Sequence, residues 1–575
     1  MPLSTTRITH LPLFCLLFLS FSLSSFAQSI QFSDATDEAG IAFTHQSGTD
    51  WTGMGVGTGA AWFDFDKDND LDLYISQGLG ANQLYRNDGS GFFYEVAGPF
   101  NAQDSTHIGA AVAIADYDND GWTDIYLANS DDDVLLKNNQ GNGFVDVTEH
   151  VGLKGKMTAR GTSASWGDYN NDGYLDLYVS HHNNIHTGQS DKKDKLFYNN
   201  EGKEFIDVSY LLTDRLIDGF GFIGAWSDFD NDGDLDILLV NDCGFQNNSS
   251  NFRLFQNGGG TDPLNWTFKE LGFPRRFSAC INGMGIAIGD YNRDGWMDYY
   301  VSNIGEKTIL FRNDHAYFDN VAEEAGVLAV DPDGVDLWSW GTSFLDADLD
   351  GWQDIYLAAG VVFVHQDTEV HPQRNLFFHN NGDGTFSDQS SESGLDSPLR
   401  SRTFVTGDYD QDGDPDLLLV NNNEKVYLYR NEQQTDNNWL IVDLEGAGPP
   451  YSNKSAIGAR LTLTSESGTQ YWETRSGSNL GGSDDLAAYF GLGQDEAISS
   501  LEIRWPSGQT QTLTDIGINQ RLSIVEPAES TTLFSDVTEQ VGLTQRHRLA
   551  EGWAGMVIGT GAAWIDYDKN GYLDL

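Results

Sequence analysis

Basic side chains are scarce in this chain. Its 575 residues hold 32 Lys and Arg against 86 Asp and Glu, for a formal net charge of −54. Phosphate binding needs a basic face, so nucleic acid is excluded as a partner. Cysteine is scarcer: Cys15, Cys243 and Cys280. Cys15 falls in the N-terminal leader without a lipoprotein cleavage box around it. Cys243 and Cys280 flank the junction of the fourth and fifth sequence repeats. A disulfide between them, permitted in an oxidising compartment, and two free buried thiols are both open. Long apolar runs are nearly missing. The one present, LPLFCLLFLSFSL at 11–23, follows a single charge, Arg7, and precedes the small-x-small Ser25-Phe26-Ala27. Residues 1–27 therefore read as a secretory signal, its apolar core too short to favour a membrane span, with an uncleaved anchor as the alternative. No other stretch could cross a membrane. The mature protein is expected to be soluble and exported, secreted or at the cell surface, with the periplasm possible.

Aspartate, by contrast, is abundant and periodic. A nine-residue loop recurs seven times, as DFDKDNDLD, DYDNDGWTD, DYNNDGYLD, DFDNDGDLD, DYNRDGWMD, DADLDGWQD and DYDQDGDPD. Oxygen side chains stand at positions 1, 3, 5 and 9. They are Asp64, Asp66, Asp68 and Asp72; Asp116, Asp118, Asp120 and Asp124; Asp168, Asn170, Asp172 and Asp176; and Asp228, Asp230, Asp232 and Asp236. The last three copies supply Asp290, Asn292, Asp294 and Asp298; Asp346, Asp348, Asp350 and Asp354; and Asp408, Asp410, Asp412 and Asp416. Position 6 is Gly in copies two to seven, suited to a sharp left-handed turn, and Asn69 in copy one. Two carboxylates about 4 Å apart repel by about 1–4 kcal/mol, so three or four in one loop call for a counter-ion. Hard oxygen ligands on a flexible loop suit Ca²⁺, about one per repeat, better than Mg²⁺ with its stricter octahedral demands. Acidic turns closed by Asx hydrogen bonds are the metal-free alternative. The spacing matches the first half of an EF-hand loop, but the tracts that follow (LYISQ, IYLAN, LYVSH, ILLVN, YYVSN, IYLAA, LLLVN) predict buried strands rather than helices.

Four strand-like tracts per unit of 52 to 62 residues predict an all-β fold with a seven-bladed β-propeller. Each third strand ends on Asn87, Asn138, Asn199, Asn257, Asn313, Asn380 or Asn431, suited to the hairpin turn that follows. A fourth-strand signature (FVDVT, FIDVS, FDNVA, FSDQS) is missing from repeat seven, while an orphan copy, FSDAT, stands at 32–36. Residues 30–36 are therefore expected to supply the outer strand of blade seven and close the ring. The propeller spans 28–436. Six further strands predict a small β-sandwich-like domain over 437–527. Residues 528–575 repeat the opening of the propeller, FSDVTEQVGLT echoing FSDATDEAGIA, with an eighth loop, DYDKNGYLD, from Asp566. They predict the start of a second, truncated propeller.

The DxDxDG loops with their apolar strands and L-[YF]-x-N turns resemble FG-GAP/VCBS repeats, which form the seven-bladed propeller of integrin α-subunit heads. SAIGARLTLT, ETRSGSNLGGSDDLAAYFGLG and LEIRWPSGQTQTL, within 455–513, are similar to the ASPIC/UnbV domain. The pairing resembles secreted proteins of the cartilage acidic protein and UnbV type, and covers essentially the whole mature chain. It implies architecture more than activity. Related sequences usually read G-H-V-Y-P after blade six, where this chain has GVVFV at 360–364.

No nucleophile constellation has a recognised frame. His181, His182 and His186, on the loop expected after blade three, could bind a transition metal, a polar surface loop being the bland reading. His365 and His371, after blade six, form a second such candidate. Trp122, Trp296 and Trp352, at loop position 7, are expected to pack beside the metal loops. The leading expectation is a calcium-stiffened adhesion or binding protein whose propeller face holds an extracellular protein or polysaccharide. The alternative is a metal-dependent lyase, dehydratase or hydrolase acting on sugars through loop histidines.

Overall fold

The computed structural model describes residues 30–47, 58–155, 160–182, 194–212, 221–243, 251–305, 307–361, 373–432, 435–477 and 479–528. The signal segment, the eighth loop, His186, His365 and His371 lie outside them.

Repeat two shows how sequence becomes sheet. Its first strand, Gly109–Ala115 (GAAVAIA), is short-chained and wholly buried. Asp124–Asn129 (DIYLAN) is equally buried, because neighbouring sheets cover both of its faces. Val134–Asn138 is buried except at Lys137, and Phe144–Asp146 buries only Phe144. The four strands pair in sequence order, all antiparallel, with Ala115 opposite Asp124, Ile125 opposite Leu136 and Asn138 opposite Phe144. Among the described residues seven sheets follow this plan, and the first carries an extra two-residue strand, Gly482–Ser483. Their first strands are Ala60–Phe63, Gly109–Ala115, Arg160–Gly167, Gly221–Ser227, Gly283–Gly289, Ser339–Leu345 and Ser401–Gly407.

Each first strand lies against that of the next repeat, and the seventh lies against the first. A separate apolar cluster fills each junction. The one between repeats seven and one stacks Trp62 on Tyr409 at 6.4 Å, packed with Leu418 and Val420. Repeat seven obtains its fourth strand as expected: Phe32–Asp34 pairs antiparallel with Tyr427–Asn431, Phe32 opposite Asn431. The cysteine question is settled as well, since Cys243 and Cys280 form a disulfide. It joins the end of a repeat-four strand to the approach to repeat five.

The C-terminal strands form two sheets around one core that includes Leu440, Leu461, Phe490, Leu501 and Trp505. Asn438–Glu445 lies between Ala488–Gly493, antiparallel, and Gln520–Val525, parallel. Arg460–Ser465 lies between Thr469–Glu473 and Ile498–Arg504, and Thr510–Leu513 completes that sheet. The tract SSLEIRWPSGQTQTL, expected as one strand, is two: Trp505 N–H donates to Gln509 O and Gly508 N–H to Trp505 O, closing a turn. These sheets and the seven repeats belong to one compact unit, Met1–Pro527. No described helix is long and apolar enough to cross a membrane.

Candidate metal centre

The loop backbone is wound by its own aspartates. In every repeat the position-1 carboxylate accepts the N–H groups of positions 5 and 6. Asp116, for example, takes Asp120 N at 3.1 Å and Gly121 N at 2.7 Å. The position-9 carboxylate accepts the N–H of the third-strand asparagine, as from Asn138 to Asp124 at 2.7 Å. Position 4 is left-handed throughout, at φ 55–62° from Lys67 to Gln411, and position 6 is left-handed too. Sequence reading anticipated the second turn and missed the first, although Asn119, Asn171 and Asn231 at position 4 carried that signal.

The position-3 aspartates behave differently. Oδ1 of Asp66, Asp118, Asp230, Asp348 and Asp410 is sealed from solvent with no hydrogen-bond partner. These are all five repeats with Asp at this position. A buried carboxylate oxygen without a donor is costly, and a cation would satisfy it. Asp64, Asp66 and Asp72 offer ligand oxygens within 4.8 Å of one another, as do Asp116, Asp118 and Asp124, Asp228, Asp230 and Asp236, and Asp346, Asp348 and Asp354. Position 5 turns Oδ1 to the N–H of position 7, as Asp120 does to Trp122 at 3.0 Å. In repeats three and five the amide substitutes locally: Asn170 Nδ2 donates to Asp172 at 3.0 Å, and Asn292 Oδ1 accepts Asp294 N at 3.0 Å.

Electrostatics favour the same assignment. Burial, added to by neighbouring carboxylates, pushes Asp64 up to about 6, Asp116 to about 7, Asp168 to about 8 and Asp72 to about 9. Asp124, Asp176, Asp236, Asp298, Asp346 and Asp416 are held well above the ordinary carboxylate range for the same reason. A cation beside these crowded carboxylates would favour their ionised form. An all-oxygen donor set fits a hard divalent ion.

The loops are chained to one another. Asn119 Nδ2 donates to Gly173 O, Asn231 Nδ2 to Gly295 O and Arg293 Nε to Gly351 O. Gln411 Nε2 reaches from repeat seven to Asn69 O and Asp70 in repeat one. Two of the position-7 tryptophans take part, with Lys67 4.9 Å above Trp122 and Arg293 4.1 Å above Trp352, while Trp296 packs 4.9 Å from His315. The third-strand asparagines, expected only to serve their hairpins, also span two repeats. Asn138 Nδ2 bonds Thr123 O of its own loop and Phe65 O of the preceding one. Asn87 closes the circle onto Tyr409 O at 2.9 Å.

The loop face is covered. Ser455 Oγ accepts Asp116 N, Tyr489 Oη accepts Asp408 N, and Glu473 accepts Asp228 N at 2.9 Å. Arg504 pairs with Asp228, Arg460 donates to Gly295 O, and Gly493 N donates to Leu349 O. The position-6 glycine thus has a second cause in repeat three: a Cβ on Gly173 would meet Tyr451 O at 2.5 Å. Asn69 is exposed at φ 69°.

Sequence reading also placed RSGSNLGGSDD (475–485) at the end of one strand and before another. It instead enters the middle of the ring and reaches the first strand of every repeat. Gly482–Ser483 pairs with Ala60 and Ala61; Ser476 Oγ donates to Ile114 O; a Cβ on Gly477 would lie 2.0 Å from Ala164 O. Leu480 is buried with Phe222, Met284 and Trp340. Arg475 donates to Ile288 O, and Asn479 to Phe404 O at 2.7 Å.

His181 and His182 do not lie on a free loop. They end the strand Asp176–His182, paired with Gly161 and Arg160. His181 is buried, and His182 packs on Phe222 with Nε2 3.7 Å from Asp242.

FG-GAP-like repeats match at residues 64–127, 116–179, 228–301 and 346–419, spans that contain all seven loops. The ASPIC and UnbV family matches 449–531. Cartilage acidic protein 1 of Xenopus tropicalis is 25% identical over 465 residues, covering 75% of this chain and 66% of that protein. The Homo sapiens protein of the same name is 26% identical, covering 44% and 37%. This chain thus spans less than two thirds of the relatives' length. An Agrocybe aegerita lectin structure with specific recognition of non-reducing terminal N-acetylglucosamine is similar at 16% identity and TM-score 0.35, covering 58% of this chain and 79% of that one. The V. cholerae biofilm matrix protein Bap1 reaches 9% and 0.31, covering 84% and 62%. Scores this low carry neither fold nor function. The chain is an FG-GAP-like repeat protein with an ASPIC and UnbV domain.

Proposed function

We propose that this is an exported seven-bladed propeller, stiffened by about one Ca²⁺ per blade and plugged by its C-terminal domain, that binds an extracellular protein or polysaccharide. The domain limits proposed are 28–436 for the propeller and 437–527 for the plug, with 528–575 opening a second propeller. The observation that carries the calcium reading is the set of sealed, unpartnered Oδ1 atoms at position 3. When bound, the ion would neutralise the loop carboxylates. This chain's own residues do the rest: position 1 winds the loop, position 9 ties it to the third strand, and position 4, in every repeat but the sixth, ties it to the next repeat.

Ligand binding belongs to the opposite face. The C-terminal sheets cover the loop side, and Leu480 sits among first-strand residues in the middle of the ring. The second strands end and the third strands begin at the other end of each sheet, and loops on a rigid frame are where binding sites concentrate. Export rests on the leader and on the oxidised Cys243–Cys280 pair. The seats of His181, buried, and His182, half-buried at a strand end, lend no support to the alternative of a metal-dependent lyase, dehydratase or hydrolase.

The test is metal analysis of protein purified without chelator, followed by calorimetry with and without EGTA. Several Ca²⁺ per chain and a large fall in Tm on chelation are expected. Absence of Ca²⁺ together with an unchanged Tm would end the reading. Ligand screening should then use the Ca²⁺-loaded protein against glycans and extracellular-matrix proteins, with the chelated form as control.

A further inference from the structure

In repeats one and two, the residue just before the third-strand asparagine reaches the carboxylates at positions 3 and 5, and in repeat four it reaches position 3. Arg86 lies 2.7 Å from Asp66 and 2.9 Å from Asp68. Lys137 pairs with Asp118 and lies 3.0 Å from Asp120. Gln256 donates to Asp230. Each fills the place with permanent N–H donors and no lone pair for an ion on the donating nitrogen.

Repeat six has His379 at this register. His379, Asp348 and Asp350 offer ligand atoms within 4.8 Å of one another. Asp348 Oδ1 is sealed from solvent without a partner. The imidazole Nδ1 lies 3.1 Å from Oδ1 of Asp354. Asp354 is wholly buried and fixed by the N–H groups of Asn380 at 2.8 Å and Ala347 at 3.1 Å. A carboxylate that orients a histidine ring is the recurrent support of metal-bound histidines. The loop is also tied down on its outer side: Asn437 donates to Asp348 O at 2.7 Å, and Arg293 to Gly351 O at 2.7 Å. An imidazole nitrogen suits a first-row transition ion and is a poor ligand for Ca²⁺, which takes oxygen.

We propose that repeat six holds a transition-metal dication of the Zn²⁺ class through His379, Asp348 and Asp350, with Asp354 orienting the ring. The inference rests on the reading of the loops as cation sites, and makes one of the seven chemically unlike the rest. The chain would carry two kinds of metal, selected by one residue outside the acidic loop.

The full chain should be dialysed against millimolar Ca²⁺ with micromolar Zn²⁺, and both metals counted per chain. Co²⁺ in place of Zn²⁺ gives a visible ligand-field spectrum as a second readout. One Zn²⁺ per chain is expected to survive the Ca²⁺ excess, with Co²⁺ bands to match. Both should be lost in His379→Arg, which installs the residue that repeats one, five and seven carry at this register, and both should remain in Lys137→Ala. Circular dichroism checks that the variants fold. Ca²⁺ in the other loops without Zn²⁺ overturns this inference alone, and is the result if the imidazole is protonated and pairs as Arg86 does. Zn²⁺ retained by His379→Arg also overturns it. Neither metal bound would sink the calcium reading with it.

Discussion

The closed ring makes a quantitative demand on Asn87. Its Nδ2 donates to Leu71 O at 3.2 Å in its own repeat and to Tyr409 O at 2.9 Å in repeat seven. Its Oδ1 accepts Gly89 N and Gly91 N at 3.1 and 3.2 Å. Asn87 is 1% exposed. Truncation to Ala strands two buried carbonyls at about 1–3 kcal/mol each, or about 2–6 kcal/mol in all. The Gly N–H groups are nearer to solvent and recover part of their loss in water. Asn138 makes the equivalent bonds to Phe65 O and Thr123 O, but between sheets that follow one another in the chain. If the ring is closed in solution, Asn87→Ala and Asn138→Ala should cost the same within about 1 kcal/mol. The assay is urea unfolding in Ca²⁺ followed by tryptophan fluorescence, since Trp62 sits in the closing junction. A loss at Asn87 less than about half that at Asn138 would refute the closure.

Chelated protein should lose stability as pH rises. The loop carboxylates titrate higher folded than unfolded, at about 7 for Asp116, Asp290 and Asp408, so the folded state holds more protons and stability falls from about pH 4 upward. The Tm gap between Ca²⁺-loaded and EGTA-treated samples is expected to widen from pH 5 to 8, and a flat gap would contradict the crowding argument. Leu480→Ala should cost about 2–5 kcal/mol from the cavity left among Phe222, Met284 and Trp340, and should speed proteolysis within 475–485. Unchanged cleavage would mean that the segment does not occupy the ring. Gly173→Ala and Gly384→Ala share φ 87°, but a Cβ at Gly384 meets nothing within 4 Å while one at Gly173 meets Tyr451 O at 2.5 Å. Thermal unfolding should show Gly384→Ala losing about 1 kcal/mol and Gly173→Ala several-fold more, the excess measuring the C-terminal sheets against the loops. Equal losses would refute that contact.

The repeated sheets, the left-handed turn at loop position 6 and the borrowed strand at 32–34 were legible because each is local or recurs. Seven aspartate ladders in register announce a turn and a buried strand whatever surrounds them. FSDAT was recognisable as a missing fourth strand because other repeats display one. The two-repeat reach of Asn138 was not legible, since nothing in LLKNN distinguishes a hairpin asparagine from one bonded to Phe65 O. The descent of 475–485 into the ring was hidden for a similar reason. Its glycines and serines read as a loop, and only their contacts reveal that Gly477 is small because Ala164 O lies against it. The glycines at position 6 were legible for half their cause, the positive φ, and silent on the backbone that Gly173 admits.

These contacts place the acidic loops at a joint between the repeats and the C-terminal sheets. Asp228 pairs with Arg504, its N–H is held by Glu473, and its Oδ1 and Oδ2 wind Asp232 and Gly233. One residue therefore shapes its own loop, contributes to its carboxylate triad and docks the C-terminal sheets. Removing charge compensation from such a loop would disturb the blade and its cover together. That coupling gives a physical reason why the loops and the plug occur in one compact unit. Each loop presents N–H and C=O groups at fixed spacing, and Arg460, Tyr489 and Gly493 bond to those groups.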